Sequence, residues 1–319
     1  ANSFEVNLEK IINFKEKKTF NIYPKKEIKF NKEKLKIFSQ NGYIIENFKQ
    51  KKLNLPKYFT LQRNGGVKTI ISVEDKKIAL ISGKEKNCFF AALVNLFDGK
   101  ELLRTKCLPE KPKNNDFNGL GSSNIHLDDF IYLTLGTPEK HMSKNSLLAQ
   151  NDDYLFGKVL RFKKNDILKK INNQVSNLEI NIFSKGHRVP QGLTKINKSI
   201  FNVEHGPKGG DELNLVVENG NYGWPLSSYG INYLKENGGD GRSINSNHEL
   251  YNFNEPLLAL VPSIGISSLN NCPKILRNYY KKKCLIALSL YGNDLRKGHS
   301  IIIFLLNDLM TKVDSFEII

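Results

Sequence analysis

Three short segments between residues 186 and 230 carry the strongest signal for the fold of this 319-residue chain. They are GHRVPQGL (Gly186–Leu193), EHGPKGGDELN (Glu204–Asn214) and NYGWPLSSYG (Asn221–Gly230). They contain the only Trp of the chain, two of its six His and an adjacent acidic pair. Gly206 and Pro207 interrupt any regular strand ladder, which leaves their main-chain carbonyls available. With the carboxylates of Asp211 and Glu212 they offer hard oxygen ligands, the kind that Ca²⁺ prefers.

The rest of the chain is typical of an all-β protein. Short apolar runs, mostly of four to eight residues and rich in Ile, Val, Phe, Leu and Tyr, recur between turn sequences such as NGG, GPKGG and ENGGDG. They occupy residues 67–73, 78–82, 89–96, 130–135, 158–162, 178–183, 199–203, 213–217, 257–261, 284–290 and 301–306. Only residues 168–175 and 271–280 could form short helices or turns. This pattern alone leaves a sandwich array, a solenoid and a propeller open. At roughly 40–50 residues per four-stranded blade, the length gives about six or seven blades.

The chain is strongly basic, with a formal net charge of +16 and 39% hydrophobic residues. A polyanion such as nucleic acid or an acidic glycan is one interpretation of this charge. The other is a surface that uses Lys by default. The Lys residues are scattered rather than clustered with aromatic residues, so we favour the second interpretation and predict no nucleic-acid partner.

The four cysteines, Cys88, Cys107, Cys272 and Cys284, show no CxxC spacing, which argues against a zinc site. Their even number permits two disulfides in an oxidising compartment, with Cys88–Cys107 and Cys272–Cys284 as the local pairings. Four buried thiols fit equally well. No apolar run approaches the ~20 residues of a membrane span, and no signal peptide is visible at the start of the sequence.

Motifs along residues 55–310 resemble, in order, those of the soluble pyrroloquinoline-quinone (PQQ)-dependent glucose/sorbosone, or aldose sugar, dehydrogenases. The three central segments are close to diagnostic of that family. The supporting motifs are LQRNGGV (Leu61–Val67), SSNIHLDDFIYLTLG (Ser122–Gly136), DDYLFGKVLRF (Asp152–Phe162), VPSIGISSL (Val261–Leu269) and LIALSLYGNDLRKGHSIIIF (Leu285–Phe304). The resemblance implies a six-bladed β-propeller, a sugar or glycan as ligand, and a periplasmic or secreted location.

The resemblance also implies roles for particular residues. Arg188 matches an arginine that contacts the quinone cofactor, and the carbonyls of Gly206 and Pro207 would face the Ca²⁺ bound to that quinone. Glu212 and the carbonyl of Tyr222 match positions that hold a second, structural Ca²⁺ in the aldose dehydrogenase branch. The cofactors implied are therefore calcium and PQQ.

Structural alternatives remain open for these residues. Asp211 and Glu212 could be a solvated pair in a turn, and Arg188 could pin a loop instead of contacting a ligand. We expect His187 to brace its turn, and we expect Trp224 to pack in the core between blades.

The sequence departs from the family pattern where catalysis is concerned. The position of the family's general base, a His, falls on Leu120, or on Asp116 if the loop has an insertion. His126 lies nearby, but a half-buried strand residue is the simpler interpretation. Val189 replaces a family Asn, and the family's C-terminal Arg motif would follow Ile319. The catalytic residues are therefore unknown from sequence.

Residues 1–54 are dense in Lys and poor in Gly, whereas residues 55–319 carry the propeller motifs. The first part is either a basic, partly ordered extension or a set of strands that completes the ring of sheets. We hypothesise that strands within residues 19–48 fill part of the last blade, since an open ring exposes strand edges.

Three functions are compatible with this pattern. The first is a PQQ- and calcium-dependent aldose dehydrogenase with a degenerate active site. The second is a non-catalytic propeller that binds a glycan or a partner protein. The third, a polyanion binder, is the weakest of the three.

Overall fold

The computed structural model describes residues 20–23, 36–46, 49–139, 143–233, 244–290 and 300–319. Within these residues the protein is nearly all β, with five sheets and only two short α-helices, as the pattern of short apolar runs predicted. Neighbouring strands are antiparallel with a single two-residue exception, so tight hairpins make most connections.

The strands fall into sheets in chain order. The first sheet contains β1 (Phe20–Tyr23), β2 (Lys36–Ser39), β3 (Tyr43–Glu46) and β4 (Lys49–Lys52). The second contains β5 (Val67–Val73), β6 (Lys76–Glu85), β7 (Cys88–Asn95) and β8 (Glu101–Arg104). The third contains β9 (Asn124–Leu127), β10 (Phe130–Leu135), β11 (Lys158–Lys163) and β12 (Asn181–Lys185).

The fourth and fifth sheets hold the sequence signature and the C-terminal strands. The fourth begins with β13 (Val189–Ile196), β14 (Ser199–His205) and β15 (Asp211–Val216). The short β16 (Gly220–Asn221) returns to pair parallel with β12, and β17 (Leu258–Leu260) pairs with β15. The fifth contains β18 (Ile266–Asn271), β19 (Cys284–Ser289), β20 (Ile301–Leu306) and β21 (Val313–Ile318). The helices are α1 (Lys164–Ile171) and α2 (Lys274–Tyr280).

The sheets pack face to face in sequence order, and apolar clusters fill the spaces between them. One cluster joins the first and second sheets around Phe38 and Phe90, and another joins the second and third around Phe89 and Phe117. A third lies between the third and fourth sheets, and a fourth lies between the fourth and fifth around Phe304. Because central strands such as β7 are covered on both faces, their residues read as continuous apolar runs instead of alternating ones.

The first strands of successive sheets lie side by side, with β5 near β9, β9 near β13 and β13 near β18. Asn124 in β9 links two of them, since its side-chain amide donates to Thr69 Oγ1 and to the Ile70 carbonyl at 3.0 Å each. The loops that precede β9, β13 and β18 are therefore brought towards one another.

The N-terminal strands form a sheet of their own. β1 to β4 pair only with one another, and β18 to β21 complete the fifth sheet without them. Strand addition to a C-terminal blade, as we hypothesised, is thus not the pairing that the described residues adopt. Phe38 and Leu53 are buried against the second sheet, so this region is an integral part of the core.

Both disulfides follow the local pairing, Cys88–Cys107 and Cys272–Cys284, with Cα–Cα separations of 5.2 and 5.5 Å. The alternative of four free thiols is therefore wrong. No helix in the described part of the chain is long and apolar enough to cross a membrane.

Candidate functional site

Two glutamates face each other across neighbouring strands of the fourth sheet. Glu204 at the end of β14 is the direct cross-strand partner of Glu212 in β15, so both side chains lie on the same face. Their relative exposures are only 3% and 5%. Asn202 and Asn214 lie two residues away on that face and place their amides 3.4 and 3.3 Å from the two carboxylates. A buried like-charged pair of this kind needs a proton or a cation.

The pKa of Glu212 reflects this need. Burial raises it well above its usual range, and the neighbouring Glu204 raises it further.

His187 lies on the other side of Glu204, with Nδ1 3.0 Å from the carboxylate and Nε2 2.8 Å from Ser184 Oγ. Its ring stacks on Tyr222 at 4.6 Å between centroids. His187 therefore braces the site from behind, consistent with the role expected from the sequence.

The side chain of Asp211 is buried and binds backbone amides. Its carboxylate accepts from the amides of Gly206 at 3.2 Å, Ile264 at 3.1 Å and Ile266 at 3.0 Å. These contacts tie the loop after β14 to the start of β18 in the next sheet. The alternative of a solvated turn pair at Asp211 and Glu212 is therefore wrong, since both residues are buried strand residues.

The loop that carries Gly206 and Pro207 makes a very close turn. A Cβ on Gly206 would lie 2.2 Å from the Gly210 carbonyl, so a larger residue would displace the backbone here. Lys208 and Ile231 exchange two backbone hydrogen bonds of 3.0 Å, which fixes the outer end of the loop. Pro207 is buried beside Gly230.

Arg188 is held by protein groups on several sides. Its Nη1 donates to the Gly206 carbonyl at 2.7 Å and is 3.3 Å from the His205 carbonyl. Its Nε is 3.2 Å from Glu139, and its guanidinium lies 5.0 Å from the centre of the Trp224 ring. Burial raises the pKa of Glu139, while the charge of Arg188 opposes that increase.

A small cavity joins these groups. Its volume is about 10 Å³, which is room for one water-sized sphere. The residues that line it are Arg188, Glu204, His205, Gly206, Glu212, Tyr222, Trp224, Ser227 and Ser228. The structure thus brings four of the five sequence-predicted site residues to one cavity, and Pro207 is the exception. Trp224 is buried as expected, but its indole Nε1 has no hydrogen-bond partner in the described structure.

The metal chemistry available here combines carboxylates with carbonyls. Within the described residues, no group of three or more His, Cys, Asp or Glu side chains could hold a metal ion. The Glu204–Glu212 pair is a smaller set that needs carbonyl or water oxygens to complete a shell. The Gly206 carbonyl already accepts a hydrogen bond from Arg188 and has one further lone pair.

The candidate base positions lie elsewhere. Leu120 is buried in the core with 1% exposure, and its aliphatic side chain cannot accept a proton. Asp116 lines a second, open cavity of about 690 Å³ with Gln62, Arg63 and other polar residues. His126 is a partly buried residue of β9, and burial lowers its pKa. Asp116 is thus the one candidate that faces open space.

Several residues of the site were not assigned from the sequence. Glu204 belongs to a quoted segment, and its alternation with Asn202 in a strand could have indicated that it faces Glu212. Glu139 and the buried His248, whose Nδ1 is 3.0 Å from Ser227 Oγ, reach the site from distant loops. No local pattern in the sequence marks either of them.

Comparison with solved structures identifies the fold first. The fold matches a solved glucose dehydrogenase with a TM-score of 0.68 at 22% identity, covering 94% of this chain and 85% of the other. It also matches the apo form of the soluble aldose sugar dehydrogenase of Escherichia coli (TM-score 0.66, 19% identity, 91% and 83% covered). The PQQ-bound aldose sugar dehydrogenase of Streptomyces coelicolor is similar too (0.58, 18%, 89% and 77%). At these identities the matches establish the fold alone.

The family follows from the sequence. The glucose/sorbosone dehydrogenase family matches residues 91–297, and this chain belongs to it. Quinoprotein glucose dehydrogenase B of Acinetobacter calcoaceticus is 38% identical over 100 residues, which is 31% of this chain and 21% of that protein. Aldose sugar dehydrogenase YliI of Escherichia coli is 33% identical over 130 residues, 40% of this chain and 33% of that protein. The matches thus span a third or less of these relatives.

Proposed function

We propose that this protein is a PQQ- and calcium-dependent aldose sugar dehydrogenase-like protein whose active site is degenerate. Membership of the glucose/sorbosone dehydrogenase family supports a sugar as the substrate and dehydrogenation as the reaction class. The observation that carries the proposal is the buried Glu204–Glu212 pair beside Arg188, at an ion-sized cavity inside the family's signature segments. The family's general-base position falls on Leu120 or Asp116 instead of a His, which supports the proposal that the active site is degenerate.

Calcium fits the residues present. Glu204 and Glu212 are buried and face each other on one wall of the cavity, and two such hard oxygen ligands favour a divalent cation over a neutral ligand. We propose Glu212 and the Tyr222 carbonyl as ligands of a structural Ca²⁺, with Glu204 added to the set from its cross-strand position. The carbonyls of Gly206 and Pro207 are proposed to face a second Ca²⁺.

PQQ fits the Arg188 pocket poorly. A cavity of about 10 Å³ does not accommodate a tricyclic quinone. The guanidinium that would meet the negative cofactor is already paired with Glu139 and with the Gly206 carbonyl. Two further carboxylates, Glu204 and Glu212, line the same cavity as Arg188. We propose PQQ from the family and from the PQQ-bound relative, derive no step through it, and expect weak binding and slow turnover.

A non-catalytic binding module for a glycan or partner protein is the second candidate. It is favoured by the burial of Leu120, which leaves no imidazole at the expected base position. Asp116 lines the open cavity and accepts hydrogen bonds from Asn118 N and Asn64 Nδ2 at 2.9 and 3.0 Å. A carboxylate bonded in this way is a weaker base than the imidazole it would replace.

Location and architecture are also proposals. Two disulfides favour an oxidising compartment, and we propose that the protein is periplasmic or secreted. We propose a propeller in which the N-terminal sheet closes the ring as a complete blade. Six blades would require one sheet beyond the five that the described residues form, and we retain that count as a prediction. The boundary near residue 54 likewise remains a proposal.

The test combines ligand binding with turnover. Purified protein is titrated with Ca²⁺ and then with PQQ by calorimetry, and dye reduction is followed with a panel of aldoses. We expect calcium binding, weak quinone binding and slow, aldose-dependent dye reduction that chelation abolishes. Arg188→Lys should weaken quinone binding further, because the planar fork is lost. Sugar binding without any dye reduction would select the second candidate, and the absence of both would overturn the proposal.

A further inference from the structure

The open cavity of about 690 Å³ lies apart from the Arg188 pocket, with no lining residue in common. Its walls come from two loops, the turn before β5 and the segment before β9. The lining residues are Leu61, Gln62, Arg63, Asn64, Asn115 and Asp116. Five of these six side chains are polar, and the volume is sufficient for a monosaccharide.

The loop that presents Arg63 is rigidly held although its side chain is exposed. Arg63 and Asn64 both have left-handed backbone conformations, with φ of 55° and 56°. Gln40 Nε2 donates to the Gly65 carbonyl at 2.7 Å, and Lys68 Nζ donates to the Asn64 carbonyl at 2.8 Å. The guanidinium of Arg63 makes no hydrogen bond or ion pair with any other described residue. An Arg placed in this way on a fixed loop is available to a ligand.

Asp116 supplies the complementary acceptor. Its Oδ1 accepts from Asn64 Nδ2 at 3.0 Å and from Asn118 N at 2.9 Å, which fixes the carboxylate. Its Oδ2 has no hydrogen bond to the described part of the chain. A sugar hydroxyl can donate to such an oxygen, and the amides of Gln62 and Asn115 offer further polar contacts.

The charge around the cavity is positive. Arg63 lines it, Lys68 lies close enough to Asp116 for the two charges to interact, and Lys84 Nζ donates to Gln62 Oε1 at 2.8 Å. Three basic side chains therefore lie in or next to a cavity that one carboxylate, Asp116, lines. A neutral aldose would leave the guanidinium unpaired, whereas a carboxylate would bind the guanidinium fork in a bidentate, charge-assisted manner.

We propose that this cavity selects a sugar acid, a uronate, by pairing the sugar carboxylate with Arg63 and the sugar hydroxyls with Asp116 and its neighbouring amides. The inference rests on the proposed function, which assigns sugars to this chain, and it narrows the substrate class from aldoses in general to anionic ones. It requires neither the quinone nor turnover, since recognition alone is claimed.

Calorimetric titration of the full chain at low, fixed ionic strength tests the proposal. Sodium glucuronate is compared with glucose, with sodium chloride as the salt blank and glucose 6-phosphate as a second anion. We expect glucuronate to bind at least about tenfold more tightly than glucose, and Arg63→Gln to remove about that factor, so that glucuronate then binds no more tightly than glucose. Arg277→Gln is the matched control, because Arg277 in α2 is likewise exposed and does not line the cavity.

The outcomes separate this inference from the proposed function. Equal binding of glucose and glucuronate, with no effect of Arg63→Gln, would overturn the inference and leave the aldose dehydrogenase-like function intact. Tighter binding of glucose 6-phosphate than of glucuronate would overturn the assignment of a carboxylate. Failure of every sugar to bind, together with no dye reduction, would overturn the proposed function itself. Thermal melting of each variant, followed by circular dichroism, checks that the substitution leaves the fold intact.

Discussion

The chemistry of this protein at the scale of single residues is dominated by ionisable side chains that are removed from water. Glu204 and Glu212 face each other with 3% and 5% exposure, and Glu139 pairs with Arg188. The charge of Glu139 is compensated by Arg188, whereas the Glu204–Glu212 pair leaves negative charge uncompensated unless a proton or a cation joins it.

A first prediction concerns Glu212. If Ca²⁺ binds the Glu204–Glu212 pair, saturating Ca²⁺ will raise the melting temperature, with a gain of about 2.7 kcal/mol at a hundredfold excess over the dissociation constant. Glu212→Gln keeps the side-chain volume but removes one ligand charge, so most of that gain should disappear. Differential scanning fluorimetry with and without chelator measures it. Glu218→Gln, an exposed change in the same sheet region, is the control and should respond to Ca²⁺ as the parent protein does.

A second prediction concerns Lys158, a fully buried lysine whose Nζ donates to the carbonyls of Leu148, Ala149 and Phe156 at 2.9, 2.8 and 3.2 Å. Burial lowers its pKa from 10.5 to about 7. The folded state therefore binds fewer protons than the unfolded state between pH 7 and pH 10, and this group makes stability rise with pH across that window. Below pH 7 both states are protonated and the contribution is constant.

Urea denaturation at pH 7 and pH 9.5 measures the effect. The parent protein should gain about 3 kcal/mol relative to Lys158→Met between these two values. Lys163→Met, at an exposed position five residues along the chain, should keep the parent's slope. Parallel curves for the parent and Lys158→Met would show that the buried amine titrates as an ordinary lysine.

At the scale of elements, the site depends on hairpins and on the connections between sheets. The antiparallel register of β14 and β15 places Glu204 opposite Glu212, and a shift of one residue would send one of them to the other face. Asp211 then joins β15 to the start of β18 through the backbone amides of Ile264 and Ile266, and to the loop after β14 through the amide of Gly206. The covalent links act at the same scale, since each disulfide joins segments near in sequence.

The third prediction concerns the Cys88–Cys107 bond, which spans a sequence separation of 19 residues and ties β7 to the segment after β8. Replacing both cysteines by Ser should cost about 3 kcal/mol of unfolding free energy, as expected for a closed loop of this length. Chemical denaturation of the double variant measures the loss. Adding reductant should destabilise the parent protein by more than this, because it also breaks Cys272–Cys284, and a double variant as stable as the oxidised parent would contradict the prediction.

At the scale of the whole molecule, stability comes from sheets that bury each other's faces in sequence order. No single sheet can bury its own apolar faces. Removal of a terminal sheet therefore exposes the apolar face of the sheet next to it to solvent. The N-terminal sheet matters for this reason, because Phe38 and Leu53 cover Ile70 and Phe90 in the second sheet.

The fourth prediction follows from that contact. Deleting residues 1–54 should abolish soluble, cooperative folding, since it uncovers a cluster that is buried in the full chain. Thermal melting and size-exclusion chromatography of the truncated chain test this. Phe38→Ala is the milder variant and should cost about 3–5 kcal/mol if the cluster contributes as a core does. An unchanged melting temperature after the deletion would show that the N-terminal sheet contributes nothing to the folded unit.

The sequence by itself determined the all-β class and the family, because both depend on short-range patterns, whereas it left the pairing of the four cysteines open and the structure decided it. Alternation, turn residues and the signature segments at residues 186–230 are readable one after another along the chain. The same local information placed Arg188, Gly206, Glu212 and Tyr222 in one region.

Only the tertiary structure decided which partners these residues have. Glu139 reaches Arg188 from a loop 49 positions earlier, and Asp116 meets Arg63 across a cavity built from two separate loops. The sequence also suggested that Asp211 and Glu212 could be solvated, because a polar turn pair and a buried strand pair look alike in isolation. Burial is a property of how sheets stack, and stacking depends on contacts between residues far apart in the chain.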